Sequence, residues 1–130
     1  MRPVMLRAYR ATAVTVAVLV LVQAALAGRF LFGVWSIAVH GTVGNATYGL
    51  AVVAVAAAVT GRASRHSTVV AAVLLVVLTA QIGLGYAGRE SSEAAAWHVP
   101  LGVLAFGIAV YQLSLMRLDA DARRQLRERS

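Results

Sequence analysis

The stretch IAVHGTVGNATYGLAVVAVAAAVT, residues 37–60, carries no charged side chain and closes on a run of alanine and valine. A helix needs ~20 mostly apolar residues to cross the ~30 Å hydrocarbon core of a bilayer. This stretch qualifies, and so, fully or nearly, do three other blocks at about 11–27, 67–87 and 94–116. The first block is the shortest, and Val4–Tyr9 can extend its helix into the interface. Hydrophobic residues make up 60% of the 130-residue chain and charged residues 13%. That is too little polar surface to cover the core of a soluble domain. Strand alternation is absent, and in lipid a long Val/Ala/Leu run satisfies its own backbone as a helix. The expected fold is all-α: one integral membrane domain, 1–130, forming a four-helix bundle, with 117–130 as a charged tail that continues the fourth helix into solvent.

Orientation follows from arginine, which supplies all twelve cations. Arg2, Arg7, Arg10, Arg62, Arg65, Arg117, Arg123, Arg124, Arg127 and Arg129 would lie on one side, with only Arg29 and Arg89 on the other. Cytoplasmic loops are enriched in such residues, so both termini are expected in the cytoplasm. The net charge of +7 is then a topology signal matched to an anionic inner leaflet, and no nucleic-acid partner is read from it. The absence of cysteine excludes disulfides, thiolate ligands and covalent c-type haem attachment. All-Arg, Ala/Val-rich usage fits a high-GC bacterium and hence its cytoplasmic membrane. Ala25-Leu26-Ala27 fits a signal-peptide cleavage site, a reading opposed by the repeat that follows.

HGTVGNATYG at 40–49 and HVPLGVLAFG at 98–107 share one spacing of His and Gly. A shift of 58 residues lays His40 on His98, Gly44 on Gly102, Gly49 on Gly107, Tyr48 on Phe106, Gln23 on Gln81 and Leu26 on Leu84. Apolar matches come cheaply in membrane helices, but Gln and His are rare there. The chain therefore reads as two repeated helical hairpins of the same orientation, related by an axis along the membrane normal. Removing the first helix as a signal peptide would leave this arrangement incomplete.

Two equivalent histidines facing an axis suit bis-histidine coordination of a haem iron, because neutral imidazole is a good iron ligand. Four-helix bundles build such sites from inward-facing side chains. Gly44 and Gly102, one turn beyond their histidines, would clear space for a flat macrocycle or let helices approach. Gly49 and Gly107 lie on about the opposite face and suit helix packing. Gln23 and Gln81 could orient the imidazoles or bond across helices. Arg29 and Arg89 could pair with the two haem carboxylates or serve as plain interfacial residues. Packing or hydrogen bonding alone remains the alternative for the histidines.

Other positions carry less. His66 has no partner in the repeat and falls in a connecting loop. Trp35 and Trp97 suit interfacial anchors. Asn45-Ala46-Thr47 matches a glycosylation pattern but falls inside a membrane helix. Pro100 is expected in the first turn of the fourth helix, where proline is tolerated.

The unit from Gln81 to Gly102, Q-I-G-L-G…W-H-V-P-L-G, resembles one four-helix half of the haem A synthase family. More loosely, it is similar to small membrane b-type cytochromes. The resemblance covers about residues 11–116 and implies haem-binding histidines near the outer ends of the second and fourth helices, which His40 and His98 match. The family pattern also has a glutamate three residues before the first histidine, where this chain has Ile37, and a cysteine pair, which this chain lacks.

The functional expectation is a bis-histidine, b-type cytochrome-like membrane protein with one haem b per chain, acting in electron transfer or haem handling. A quinol or another membrane redox partner, or a homo-oligomer, would carry electrons onward. The alternatives are a half-length haem A synthase-like enzyme acting as a dimer and a cofactor-free structural or assembly subunit. Catalytic residues are not assigned.

Overall fold

The computed structural model describes residues 2–129. It contains four helices and, among the described residues, no strand: α1 Arg2–Leu31, α2 Ile37–Gly61, α3 Arg65–Ala87 and α4 Ser92–Glu128. Each is long and apolar enough to cross a membrane, the make-up of a multi-pass membrane protein. Only 17–28% of each apolar window is buried within the chain. The remaining apolar surface needs a hydrocarbon solvent, which also explains why the backbone is helical throughout.

Serines start three of the helices. The Ser36 and Ser91 hydroxyls accept from the N–H groups of Ala38 and Ala94, and the Ser64 hydroxyl accepts from Ser67. Each satisfies one of the donors that a helix N-terminus leaves unpaired. α2 stops at Arg62, which takes the left-handed conformation (φ 52°) and donates its N–H back to Val59 O. The three connections are short, so successive helices run antiparallel. α1 packs on α2, α2 on α3, α3 on α4 and α4 on α1. The diagonal pairs α1/α3 and α2/α4 make no backbone approach among the described residues.

Two of the helices exceed their apolar blocks. α1 begins at Arg2 rather than near 11, and α4 continues through the charged tail to Glu128. Pro100 is therefore not in the first turn of its helix. It lies inside α4, where it lacks the N–H that would bond the carbonyl of Ala96.

Two apolar layers fill the bundle. Near the termini, Ala13, Ala54, Ala57, Ala58 and Ala71 pack with Tyr9 and Met116, small side chains letting the backbones approach closely. The contact is tightest at Gly61, where a Cβ would lie 3.1 Å from the backbone nitrogen of Leu6. Above this layer, Val16, Val20, Leu74, Leu78, Ala105 and Ala109 form the centre of the bundle.

A buried polar chain ties the termini end together. Gln112 Nε2 donates to the Tyr9 hydroxyl at 3.2 Å, and that hydroxyl donates to Ser67 O at 3.2 Å. Ser67 Oγ donates to Asp119 at 2.8 Å. α1, α3 and α4 are thus joined by bonds formed away from water, where an unmade bond is costly. Asp119 lies in the segment expected to be a solvated helical extension, and its bond to Ser67 holds the start of that segment against the bundle.

Candidate functional site

The end of the bundle opposite the termini is open. A cavity of about 460 Å³ lies there, lined by all four helices, and its size is typical of small-molecule and cofactor sites. Its lining residues nearest the bundle centre are Val20, Thr47, Leu78 and Ala105, three of which belong to the central apolar layer.

His40 and His98 both line this cavity. They stand on the diagonal helices α2 and α4, with ring centroids 5.9 Å apart and ring planes at 70°. Because those helices make no backbone approach, the two imidazoles span the gap. His98 Nδ1 lies 3.1 Å from Gln81 O. A carbonyl can only accept, so Nδ1 carries the proton and Nε2 keeps its lone pair. That is the tautomer of a metal-ligating histidine oriented by a carbonyl. On the other side, Gln23 Nε2 donates to the backbone carbonyl of His40 at 3.0 Å.

The glycines serve these glutamines. A Cβ at Gly44 would lie 2.5 Å from Gln23 Nε2, and one at Gly102 would lie 3.0 Å from Gln81 Nε2. Both glycines also line the cavity, but what their missing side chains first admit is the glutamine amides. Gly85 has a related part, since a Cβ there would lie 3.1 Å from His98 Cε1. Gly49 and Gly107 do not mediate packing between the helices. A Cβ at either would meet nothing within 4 Å, because both face outward.

The two arginines part company. Arg89 lines the cavity with its guanidinium 4.8 Å from the Tyr86 ring centroid. Arg29 is not among the lining residues and stacks over Trp35 at 5.3 Å. His66 bonds the Tyr111 hydroxyl at 3.1 Å, away from the cavity. Two lining residues were not legible as site residues: Asn45, whose Nδ2 donates to the Tyr86 hydroxyl at 3.1 Å, and Tyr86 itself. Their signal lay in spacing. Asn45 follows His40 by five residues and Tyr86 follows Gln81 by five, each polar in an apolar helix.

Buried polar atoms in folded proteins are almost always paired. Among the described residues, the buried side-chain atoms without a partner are Gln23 Oε1, His40 Nδ1 and Gln81 Oε1, and all three residues line this cavity. Their clustering points to a group bound there. The described residues contain no cluster of three or more His, Cys, Asp or Glu side chains. A bare zinc ion takes three or four protein ligands, which this donor set does not supply. Two imidazoles suffice for a metal that brings its remaining ligands with it, as the iron of a macrocycle does.

No protein-family model, curated protein or solved structure matches the chain.

Proposed function

We propose that this chain is a haem-binding membrane protein that holds one b-type haem between His40 and His98 and acts in electron transfer or haem handling. The spacing of the two rings carries the reading. A ligating imidazole nitrogen lies about 2 Å from its metal, so two rings on opposite sides of one metal have centroids roughly 6 Å apart. The observed 5.9 Å fits that arrangement across the helix diagonal. The 58-residue spacing of the paired Gln, His and Gly residues supports it, as does the resemblance to one half of a haem A synthase.

His40 and His98 would hold the iron, and the Gln81 carbonyl keeps His98 in the ligating tautomer. Val20, Leu78 and Ala105 close the cavity toward the bundle centre and keep water from entering on that side. When bound, the haem would supply a one-electron iron couple held by His40 and His98. No Asp or Glu lines the cavity among the described residues, and Glu90 and Glu93 are exposed in and beside the α3–α4 connection. Acid–base work on a bound substrate therefore has no carboxylate to draw on, which favours electron transfer over hydroxylation.

The arginine distribution supports a placement in the bacterial cytoplasmic membrane with both termini inside. The cavity then opens near the outer face, where a quinol, another membrane redox protein or a second copy would exchange electrons with it.

The test is the absorption spectrum of full-length protein expressed with ample haem. A Soret band with a sharp reduced α band is expected, lost in His40→Ala and in His98→Ala and kept in His66→Ala. Colourless, folded wild-type protein would overturn the reading and leave a structural or assembly subunit.

A further inference from the structure

With the histidines on α2 and α4, the other two corners of the cavity belong to α1 and α3. Their chemistry is opposite. α1 presents Leu21, Ala24, Ala27, Gly28 and Leu31, and its one polar lining residue, Gln23, gives its amide nitrogen to the His40 carbonyl and leaves an acceptor, Oε1, toward the cavity. The α3 corner presents Tyr86 of α3 and Arg89 of the α3–α4 connection, with Asn45 of α2 alongside. At the positions 58 residues away, Tyr86 answers to Gly28 and Asn45 to Val103, so the polar group exists at one corner only.

Deeper along α3 the free group is an acceptor, Gln81 Oε1, and at the outer end of this corner the free groups are donors. Asn45 donates to the Tyr86 oxygen, which leaves the Tyr86 O–H itself available. Arg89 carries only donors and makes no ion pair among the described residues. Its guanidinium carbon lies over the Tyr86 ring, 4.8 Å from the centroid, and its Nη2 would lie 3.6 Å from a Cβ at Gly41. Arg89 thus reaches from the α3–α4 connection to the second turn of α2, at Gly41. A guanidinium fork beside a hydroxyl donor matches a carboxylate.

We infer that Asn45, Tyr86 and Arg89 form a carboxylate-binding edge at the α3 corner, which takes the acid side chains of the bound tetrapyrrole and fixes its rotation in the cavity. This rests on the haem reading. It differs from a symmetric pairing with Arg29 and Arg89, because Arg29 is held off the cavity by Trp35. A tetrapyrrole with its acid edge turned toward α1 would face leucine and alanine, and turned toward α3 it faces three donors.

The experiment titrates full-length protein in detergent with haem b and, separately, with its dimethyl ester, following the Soret band. Charge-assisted hydrogen bonds contribute enough for wild type to prefer the free acid by about tenfold or more. Arg89→Gln is expected to lose most of that preference while keeping the bis-histidine spectrum, and Tyr86→Phe to lose part of it. Arg89→Lys retains the charge without the fork and should fall between wild type and Arg89→Gln. Arg29→Gln is expected to keep the full preference. Equal binding of acid and ester by wild type overturns the carboxylate edge and leaves haem binding intact, as does an unchanged preference in both Arg89→Gln and Tyr86→Phe. Binding of neither compound overturns the haem reading itself.

Discussion

The amide nitrogen of Gln23 occupies the place that a side chain at residue 44 would need, since a Cβ there would stand 2.5 Å from it. The same amide donates to the carbonyl of His40, so one missing methyl group on α2 decides how α1 holds the start of that helix. Gly44→Ala forces the amide away and breaks the bond. Because the end of a flexible side chain can swing aside, the cost is that of the lost hydrogen bond, about 0.5–1.5 kcal/mol. Gly102→Ala, at 3.0 Å from Gln81 Nε2, should cost less, and Gly49→Ala, which meets nothing within 4 Å, should leave stability unchanged. Thermal unfolding of the three variants in detergent checks the order; a Gly49→Ala variant as damaged as Gly44→Ala would contradict the geometry.

Gly85 stands against the ring of His98 in the same manner. Gly85→Ala pushes on Cε1 and disturbs the bond from Nδ1 to the Gln81 carbonyl. In haem-loaded protein the expected effect is a shifted reduced α band or midpoint potential with His98 still present. Gly83→Ala, with open space at its Cβ, is expected to match wild type in the same measurement.

Tyr9 is 2% exposed and its hydroxyl is the joint between Gln112 and the Ser67 carbonyl. Tyr9→Phe retains the ring and leaves the buried Gln112 amide without its partner. A loss of about 1–2 kcal/mol is expected, read from denaturant unfolding. Because this network lies at the termini end, the spectrum of bound haem should not change.

Arg62 ends α2 at φ 52°, a conformation that costs a side-chain-bearing residue roughly 1 kcal/mol relative to glycine. Arg62→Gly should therefore stabilise the protein by about that amount, and Arg62→Val should destabilise it, because a branched Cβ tolerates the left-handed region worst. Equal melting temperatures for the two variants would count against the αL cap.

The four helices were legible because hydrocarbon demands unbroken apolar length, and their ends were less so because other forces set them. α4 runs past its apolar block, where Asp119 bonds Ser67, a contact that hydropathy does not register. His40 and His98 stood out as polar residues in greasy helices, and the structure brings them together. The partners of the glycines did not stand out, because spacing along one helix says nothing about which neighbour fills a gap. The split between Arg29 and Arg89 was hidden for a related reason. Each lies near a helix end, and only the rotation of that end decides whether the guanidinium meets Trp35 or the cavity.

The apolar layer beneath the cavity also has an electrical meaning. From Val20 to Tyr9 along α1 is about 16 Å of helix rise, packed with valine, leucine and alanine from all four helices. Such a layer spans about half of a ~30 Å hydrocarbon core and carries a corresponding share of any transmembrane voltage. Carrying one charge through the whole field is worth ~2.3 kcal/mol per 100 mV, but a charge that enters the cavity from its open end stops short of the layer. Under the proposed haem reading, an electron taken up from the open end would cross none of the field carried by that layer, and exchange confined to this site would move no charge through it.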